Sequence, residues 1–404
     1  MTHQQRSLLS SLILIVAACS LTPAKANLLS SLVTERHWIG YTPRNFNPNI
    51  GQEPSEAQMR ADLQQLYDDG WRKLYNYTLD GNLKHIPRIA KEVGFDTVLA
   101  GIFYFDAAQL EREKTNAQTE LPHIDGFIVG NEGLAFGRYN PAQLLSAVSF
   151  FEGLGKPVTT TEVGGLYFSS PALLDVGDFA TINIQPWFNG SLNPSDPLGM
   201  AQAVRDEYVG IKALRPDTLV VIKEAWWPTG GHPGATEANQ IAFFAHLSQM
   251  TDANGDPLLF MWGESYDQLW KSEPSPFGTL GPDWGLYEEN GAEKLIVDGL
   301  NGVYTAQYPV NFLPGDYDRN GVVNSLDYDE WSTSFGSTLG IPGSGADGNF
   351  DGVIDSADYN VWRDNLGASS SGSSTAVPEP TGATLCALLL LVHTVSNRKL
   401  HSAA

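Results

Sequence analysis

Eight short apolar runs alternate with helical segments between residues 38 and 264 of the 404-residue chain. Each run has the length and the β-branched and aromatic content of a buried strand. The runs are WIGY (38–41), KLYNYT (73–78), TVLAGIFYF (97–105), GFIVGN (126–131), PVTTTEV (157–163), FATINIQPW (179–187), LVVIKE (219–224) and PLLFMWGE (257–264). Because strands that alternate with helices form parallel sheets, eight such units predict an α/β fold, a closed (β/α)8 barrel over residues 27–313.

The segments between the runs contain helix start signals. In SEAQMRADLQQLYDDG, Ser55 and Gln58 fit a capping box, and Met59, Leu63 and Leu66 recur at helical spacing. NPAQLLSAVSFFEGLG and TEANQIAFFAHLSQM have the same character. These segments therefore predict the outer helices of the barrel.

A duplicated acidic segment, residues 314–367, follows the predicted barrel. GDYDRNGVVNSLDYDEWSTSFG recurs as ADGNFDGVIDSADYNVWRDNLG at an offset of 31 residues, as Asp316 and Asp347 show (347 − 316). Glycine stands at the sixth position of each copy, and oxygen ligands occupy the positions of a calcium loop. The predicted ligands are Asp316, Asp318, Asn320, the Val322 carbonyl, Asn324 and Asp327, then Asp347, Asn349, Asp351, the Val353 carbonyl, Asp355 and Asp358. The sequence predicts two structural Ca²⁺ ions in a small all-α module and no cofactor for catalysis.

The net charge and the cysteine count exclude several function classes. A net charge of −22 argues against nucleic acid and anionic membrane surfaces as partners. The only cysteines, Cys19 and Cys386, lie in apolar terminal segments. We therefore expect no disulfide and no cysteine metal site in the folded part.

Both ends of the chain contain targeting features. Residues 1–26 predict a secretory signal peptide, because Arg6 precedes an apolar stretch and Ala24-Lys25-Ala26 offers a cleavage site. A lipoprotein box also fits, since VAAC would leave Cys19 lipidated. ASSSGSSTA (368–376) predicts a flexible linker. The apolar run within residues 377–404 is shorter than the roughly twenty residues of a membrane span.

Three carboxylates lie where predicted strands end. Glu132 follows the fourth strand, Glu162 the fifth and Glu224 the seventh. Functional side chains of barrels occupy these positions, and cleavage of a glycosidic bond needs two carboxyl groups, about 5 Å apart in retaining enzymes. We expect Glu132 and Glu224 to face each other, with Asn131 at a sugar hydroxyl and Glu162 as a hydrogen-bond partner.

Four motifs resemble glycoside hydrolase family 17. VGNEGL resembles the acid/base motif of that family, and KEAWWPTGG resembles its nucleophile motif. INIQPWF and FMWGESYDQLWK with GPDWGLY resemble its sixth-strand and C-terminal segments. The resemblance implies Glu132 as proton donor, Glu224 as nucleophile and β-1,3-glucan as substrate with retention of configuration. Ala225-Trp226, Gln185 and Lys73 depart from the family pattern, so subsite details do not transfer.

Aromatic and polar residues near the strand ends are candidates for substrate binding, because sugars present apolar faces to aromatic rings. The predicted substrate-binding residues are Asn131, Trp187, Trp227, Asp267, Trp270, Lys271 and Trp284. Hydrolysis and glucan transfer, and endo and exo action, all remain open. The alternative is a catalytically silent glucan-binding protein displayed through the duplicated segment.

The duplicated segment resembles a dockerin, since each calcium loop is followed by one short helix. This implies a cohesin-type scaffold partner, although the same fold serves equally as a calcium-stabilised spacer. The VPEP motif, apolar run and basic cluster of the tail resemble the PEP-CTERM sorting signal of Gram-negative bacteria. The resemblance implies a sorting protease as partner and export to the cell surface or the exterior.

Overall fold

The computed structural model describes Leu28 and residues 38–272, 281–299, 315–318, 322–339, 345–348 and 353–368. The predicted signal peptide, the sorting tail and the linker from residue 369 onward lie outside these residues. The same holds for the predicted calcium ligands Asn320, Asn349 and Asp351.

Seven parallel strands form one sheet in which each strand pairs with the next along the sequence. The strands are β1 (Trp38–Gly40), β2 (Lys73–Tyr75), β3 (Thr97–Ile102), β4 (Gly126–Asn131), β5 (Val158–Val163), β6 (Ala180–Asn183) and β7 (Val220–Glu224). Nearly every strand residue is buried, as expected for a sheet with helices outside and packed side chains inside. β4, β5 and β7 end at the last residue of the run that predicted them, whereas β1, β2, β3 and β6 end earlier, because the later residues of those runs belong to the loop that follows.

The eighth apolar run closes the sheet without forming a regular strand. On one side the Met261 N–H donates to the Ile222 carbonyl at 2.8 Å, and on the other the Trp262 N–H donates to the Trp38 carbonyl at 2.9 Å. Residues 260 and 262 form isolated parallel bridges to β7 and β1. The described residues therefore have the closed arrangement of a (β/α)8 barrel, in which an irregular segment takes the place of the eighth strand.

Helices connect the strands and cover the outside of the sheet. They are α1 (Glu56–Asp68), α2 (Ile86–Val93), α3 (Ala107–Glu120), α4 (Pro141–Glu152), α5 (Gly164–Ser169), α6 (Pro197–Leu214), α7 (Glu237–Gln249) and α8 (Leu295–Gly299). Short 3-10 turns lie at Pro48–Ile50, Gly81–His85, Leu121–His123, Pro171–Asp175, Pro186–Phe188 and Leu269–Ser272. No helix within the described ranges has the length and apolar character needed to cross a membrane.

The predicted start and face of α1 are confirmed. The Ser55 hydroxyl accepts the Gln58 N–H at 3.2 Å, and the Gln58 side chain accepts the Ser55 N–H at 2.9 Å. Met59, Leu63 and Leu66 are completely buried. The capping box thus fixes where α1 begins, and burial of its apolar face holds it on the sheet.

The duplicated segment forms two helices, α9 (Ser325–Ser334) and α10 (Ser356–Asp364), each of which begins two residues before the last predicted calcium ligand of its copy. The Trp331 indole donates to the Asp355 carbonyl at 2.8 Å, and the Trp362 indole donates to the Asn324 carbonyl at 2.7 Å. The backbone repeats this exchange, since residue 336 donates to 354 and residue 367 donates to 323. Each copy thus completes the hydrogen bonding of the other.

Candidate active site

The end of β4 is bulged and strained. From Ile128 to Asn131, β4 advances three residues while its neighbour advances two, from Thr159 to Thr161. Glu132 follows with a φ of 56°, in the left-handed region that favours glycine. Such a conformation costs roughly 1–3 kcal/mol and persists only where surrounding contacts hold it. Strain and an altered side-chain direction therefore coincide at the predicted proton donor.

The end of β7 is also bulged. While β6 advances one residue, from Ile182 to Asn183, β7 advances two, from Ile222 to Glu224. Lys223 is the extra residue, and its Nζ forms an ion pair with the carboxylate of Glu224. In a regular strand neighbouring side chains point to opposite faces, so the bulge accounts for the meeting of these two.

One polar network joins the two predicted catalytic carboxylates. The Asn183 side-chain amide donates to Glu132 Oε1 at 2.8 Å and to Asn131 Oδ1 at 3.2 Å. Lys223 Nζ donates to the same Asn131 oxygen at 3.0 Å and to Glu224 Oε1. Glu132 and Glu224 therefore lie at the same end of the barrel, as the strand order predicted.

The surroundings of Glu132 suit a proton donor. Burial, and then the nearby charge of Glu224, raise the pKa of Glu132 to about 7, although Asn183 and Lys223 act in the opposite direction. Its side chain is nevertheless only partly buried and reaches solvent. A carboxyl group with this pKa keeps its proton through the mildly acidic range, which a general acid requires.

The surroundings of Glu224 suit a carboxylate held in one position. Its Oε1 accepts a hydrogen bond from the Tyr77 hydroxyl at 2.9 Å as well as from Lys223. The residue is 7% exposed, so water competes little with these donors. Two donors on one oxygen fix the plane of the carboxylate and leave the other oxygen available for chemistry.

Glu162 holds the loop that follows Glu132, in agreement with its predicted role as a hydrogen-bond partner. Its fully buried carboxylate accepts the Leu134 N–H at 3.0 Å, the Ala135 N–H at 3.3 Å and the Tyr139 hydroxyl at 2.8 Å. Burial raises the pKa of Glu162, while these donors lower it. The loop that imposes the strained Glu132 backbone is therefore fastened to β5.

The prediction that Trp227 stacks on substrate is wrong for this structure. The ring is completely buried, packs against Phe243 and donates its N–H to the Gly234 carbonyl at 3.2 Å. Trp187 lies edge-on to Trp227 and is 9% exposed, while Trp284 is 4% exposed. These three tryptophans mainly form the wall of the barrel.

Trp270 and two phenylalanines outside the prediction offer accessible rings. Trp270 is half-buried and packs edge-on against Phe46. Phe136, in the loop after Glu132, is 67% exposed, and Phe188, after β6, is 53% exposed. Their position directly after strand-end candidates is the sequence feature that could have identified them.

The two charged substrate-binding candidates are engaged in ion pairs. Asp267 is buried, and its Oδ1 accepts Lys294 Nζ at 2.7 Å and the Gly285 N–H at 2.8 Å. The prediction that Asp267 contacts substrate is therefore corrected, since its carboxylate supports the surrounding loops. Lys271 Nζ lies 2.5 Å from the buried carboxylate of Glu264.

Sequence reasoning missed three members of the polar network, namely Lys223, Asn183 and Tyr77. Tyr77 was interpreted only as part of a strand, and Lys223 and Asn183 stand inside the motifs KEAWWPTGG and INIQPWF without a role assigned to them. A lysine within a buried run, next to a strand-end glutamate, is the feature that could have identified Lys223. No comparable feature distinguishes Asn183 or Tyr77 before the strands are assembled.

The duplicated segment brings three predicted metal ligands together. Carboxylate oxygens of Asp316, Asp318 and Asp327 lie within 4.8 Å of one another. Asp327 is buried and accepts the Asp318 N–H at 3.0 Å and the Asn324 N–H at 2.8 Å. In the second copy, Asp358 is likewise buried and accepts the Asp355 N–H. A set of oxygen donors at this spacing fits a hard cation such as Ca²⁺.

Comparison with known proteins gives a family and a fold. A family model described as the BtgE/BtgC glycoside hydrolase domain matches residues 39–285. A glucan 1,3-beta-glucosidase of Candida albicans is 23% identical over 255 residues, which cover 56% of this chain and 81% of that protein.

Two solved structures share the fold at low sequence identity. A glycoside hydrolase family 17 beta-1,3-glucanosyltransferase from Rhizomucor miehei has a TM-score of 0.53 at 17% identity, covering 65% of this chain and 96% of that one. A beta-D-glucuronidase from Dictyoglomus thermophilum has a TM-score of 0.52 at 14% identity, covering 68% and 50%.

Replacing Glu162 by Gln should destabilise the protein by about 1–3 kcal/mol, because one of its carboxylate oxygens becomes an amide nitrogen facing buried donors. Thermal unfolding measures the effect. Glu152→Gln, at an exposed position of α4, is the matched control and should stay within about 0.5 kcal/mol of the wild type. Equal unfolding temperatures for the two variants would contradict the role assigned to Glu162.

Proposed function

We propose that this chain, which belongs to the BtgE/BtgC glycoside hydrolase family, acts on β-1,3-linked glucan by double displacement with retention of configuration. The observation that supports the mechanism is the polar network, which joins Glu132, with its raised pKa, to Glu224 at one end of the barrel. The substrate class follows from the Candida albicans relative, whose name states that activity, and from the family 17 motifs.

In the first step the Glu132 proton passes to the glycosidic oxygen while Glu224 attacks the anomeric carbon. The bond from that carbon to the glycosidic oxygen breaks, the shortened glucan leaves, and a glycosyl ester forms on Glu224. In the second step Glu132, now a carboxylate, takes a proton from water or from a sugar hydroxyl. The resulting oxygen nucleophile attacks the anomeric carbon, and the ester bond to Glu224 breaks.

The charge of Glu224 accounts for the change in the role of Glu132. That charge is one cause of the raised pKa of Glu132. Once Glu224 is esterified its charge is gone, so the pKa of Glu132 falls and the group becomes a base suited to the second step. In the second step, water and a sugar hydroxyl would attack the same carbon with the help of the same base. Analysis of the products is therefore needed to distinguish hydrolysis from glucan transfer.

The duplicated segment is proposed to bind two structural Ca²⁺ ions as a dockerin-like module. The clustered carboxylates of Asp316, Asp318 and Asp327 support the first site, and the matching spacing of Asp347, Asp355 and Asp358 supports the second. Bound calcium would neutralise acidic side chains that otherwise repel one another. A cohesin-type partner, the sorting protease and the exported location stay predictions from the sequence.

Glu224→Gln should lower the rate of reducing-sugar release from laminarin by at least about 10³-fold, since an amide cannot form the glycosyl ester. Retention of the variant in a laminarin affinity gel should match the wild type, and Glu152→Gln serves as the active control. Chromatography of the products separates endo, exo and transfer activity. A wild type that binds laminarin but changes none of it would favour the silent binding protein.

The pH profile of kcat/KM should fall above about pH 7, because the raised pKa of Glu132 keeps its proton up to that point and the acid form is lost beyond it. Glu132→Gln should remove this basic limb. Glu113, a buried carboxyl of α3 with its pKa also raised to about 7, provides the control. Glu113→Gln keeps an acceptor oxygen and should retain the basic limb. Loss of the basic limb in this variant would mean that Glu113, and not Glu132, is the group that titrates.

Removal of calcium should abolish amide protection in both helices of the duplicated segment together, because each copy completes the hydrogen bonding of the other. Hydrogen exchange with and without EGTA measures this. Asp327→Asn should have the same effect, while Asp329→Asn, exposed on α9, should not. Protection that is equal with and without the metal would refute the calcium sites. Laminarin activity should not depend on the chelator.

A further inference from the structure

Lys223 is a buried cation between the two strand ends that hold the candidate catalytic residues. It is 1% exposed, and its Nζ contacts Glu224 Oε1 and lies 3.0 Å from Asn131 Oδ1. The ammonium also lies 4.4 Å from the ring centre of Tyr77 and 4.9 Å from that of Tyr75. The cation is therefore enclosed by one carboxylate, one amide oxygen and two aromatic rings.

Stability alone is a poor explanation for this lysine. Transfer of an ammonium group out of water costs several kcal/mol, and a well-packed apolar residue is often neutral or better at such a position. The aromatic faces and the carboxylate recover part of the cost. A residue that is expensive to bury, and that contacts two functional side chains, points to a role in the reaction.

Lys223 fixes the orientation of the Asn131 amide. Asn131 Oδ1 accepts hydrogen bonds from Lys223 Nζ at 3.0 Å and from Asn183 Nδ2 at 3.2 Å. With both donors on the oxygen, the amide nitrogen of Asn131 is directed away from them. Asn131 can therefore offer N–H donors, and not an acceptor, to a sugar hydroxyl.

Lys223 also determines which oxygen of Glu224 reacts. Lys223 and the Tyr77 hydroxyl both donate to Oε1, and no hydrogen bond to Oε2 is found among the residues that the structure describes. An oxygen that already accepts two hydrogen bonds is a weaker nucleophile than its partner. The geometry leaves Oε2 for attack on the anomeric carbon.

We propose that Lys223 is a positioning residue of the glycosylation step, which holds Glu224 by Oε1 and orients the Asn131 amide toward the sugar. The proposal rests on the glycoside hydrolase function proposed above. It assigns to Lys223 no proton transfer and no bond to the substrate. Its effect on the reaction passes through Glu224 and Asn131.

The charged and titratable groups around Lys223 come from four parts of the barrel. Tyr75 and Tyr77 belong to β2 and the loop after it, Glu132 follows β4, and Glu224 ends β7. Burial, and then the charge of Glu224, raise the pKa of both tyrosines, and the charge of Glu264, in the segment that closes the barrel, adds to this effect. In this acidic surrounding Lys223 supplies the positive charge that directly contacts Glu224.

The test compares Lys223→Met, Lys223→Gln and the control Lys212→Met in the full-length protein. Lys212 on α6 pairs with Asp252 at 2.6 Å, after α7 and before the segment that closes the barrel, so it lies at the opposite end of the barrel from the site. The kcat/KM values are measured from pH 4 to 9 on laminarin and on an aryl β-laminaribioside, whose good leaving group needs little acid assistance.

Both Lys223 variants should lose about 10²-fold in kcat/KM on the two substrates alike, because misplacement of the nucleophile affects each of them. Removal of the cation should also move the acidic limb of the kcat/KM profile to higher pH, because the positive charge that contacts the Glu224 carboxylate is lost. Glu132→Gln should instead retain activity on the aryl substrate. Lys212→Met should match the wild type in both rate and pH profile.

Two results distinguish the role proposed for Lys223 from the proposed glycoside hydrolase function. An active wild type with Lys223 variants that retain its rates and acidic limb overturns the inference alone. A wild type inactive on both substrates overturns the proposed function and this inference with it. If Lys223→Met does not fold, Lys223→Gln decides, because the shorter Gln side chain is polar and retains an N–H donor while the positive charge is removed.

Discussion

Burial of charge at one end of the barrel is the constraint on which the rest of the site depends. Glu132, Glu224 and Lys223 lie where water cannot fully solvate them, so each needs a partner within the protein. Asn183 donates to Glu132, and the Asn131 amide oxygen accepts from Lys223. Glu224 accepts from Lys223 and from the Tyr77 hydroxyl. The same low polarity that makes these contacts necessary raises the pKa of Glu132, which suits it to the proposed role of proton donor.

The barrel makes this arrangement possible because its frame is rigid. Two bulges and one left-handed glutamate would be costly in a mobile loop, but here they end strands paired on both sides. Glu162 adds to this rigidity, because its buried carboxylate connects the loop after Glu132 to β5. The free energy of the packed sheet thus supports strain at the point where the chemistry takes place.

The duplicated segment also holds charged side chains close together, but its apolar core is much smaller than that of the barrel. Its small apolar cluster is formed around Tyr317, Ala346 and Ile354, and three carboxylates of its first copy lie close together. The Trp331 indole of the first copy donates to the second copy, and the Trp362 indole of the second copy donates to the first. Neither copy therefore satisfies its hydrogen bonds without the other. Because the core of this module is so small, such cross-links are needed to hold it together, and the proposed metal would add to them.

Sequence alone determined the order of strands and helices, the α1 capping box, the duplication and the placement of Glu132 and Glu224 at one end of the barrel, because these follow from periodicity, local hydrogen bonds and strand order. It misjudged Trp227, since composition shows that a ring is large but not which neighbours cover it. Lys223 was missed because strand alternation places it opposite Glu224. Only the tertiary structure shows the bulge that brings the Lys223 side chain to Glu224. The pairing of β6 with β7 determines where β7 accommodates the extra residue.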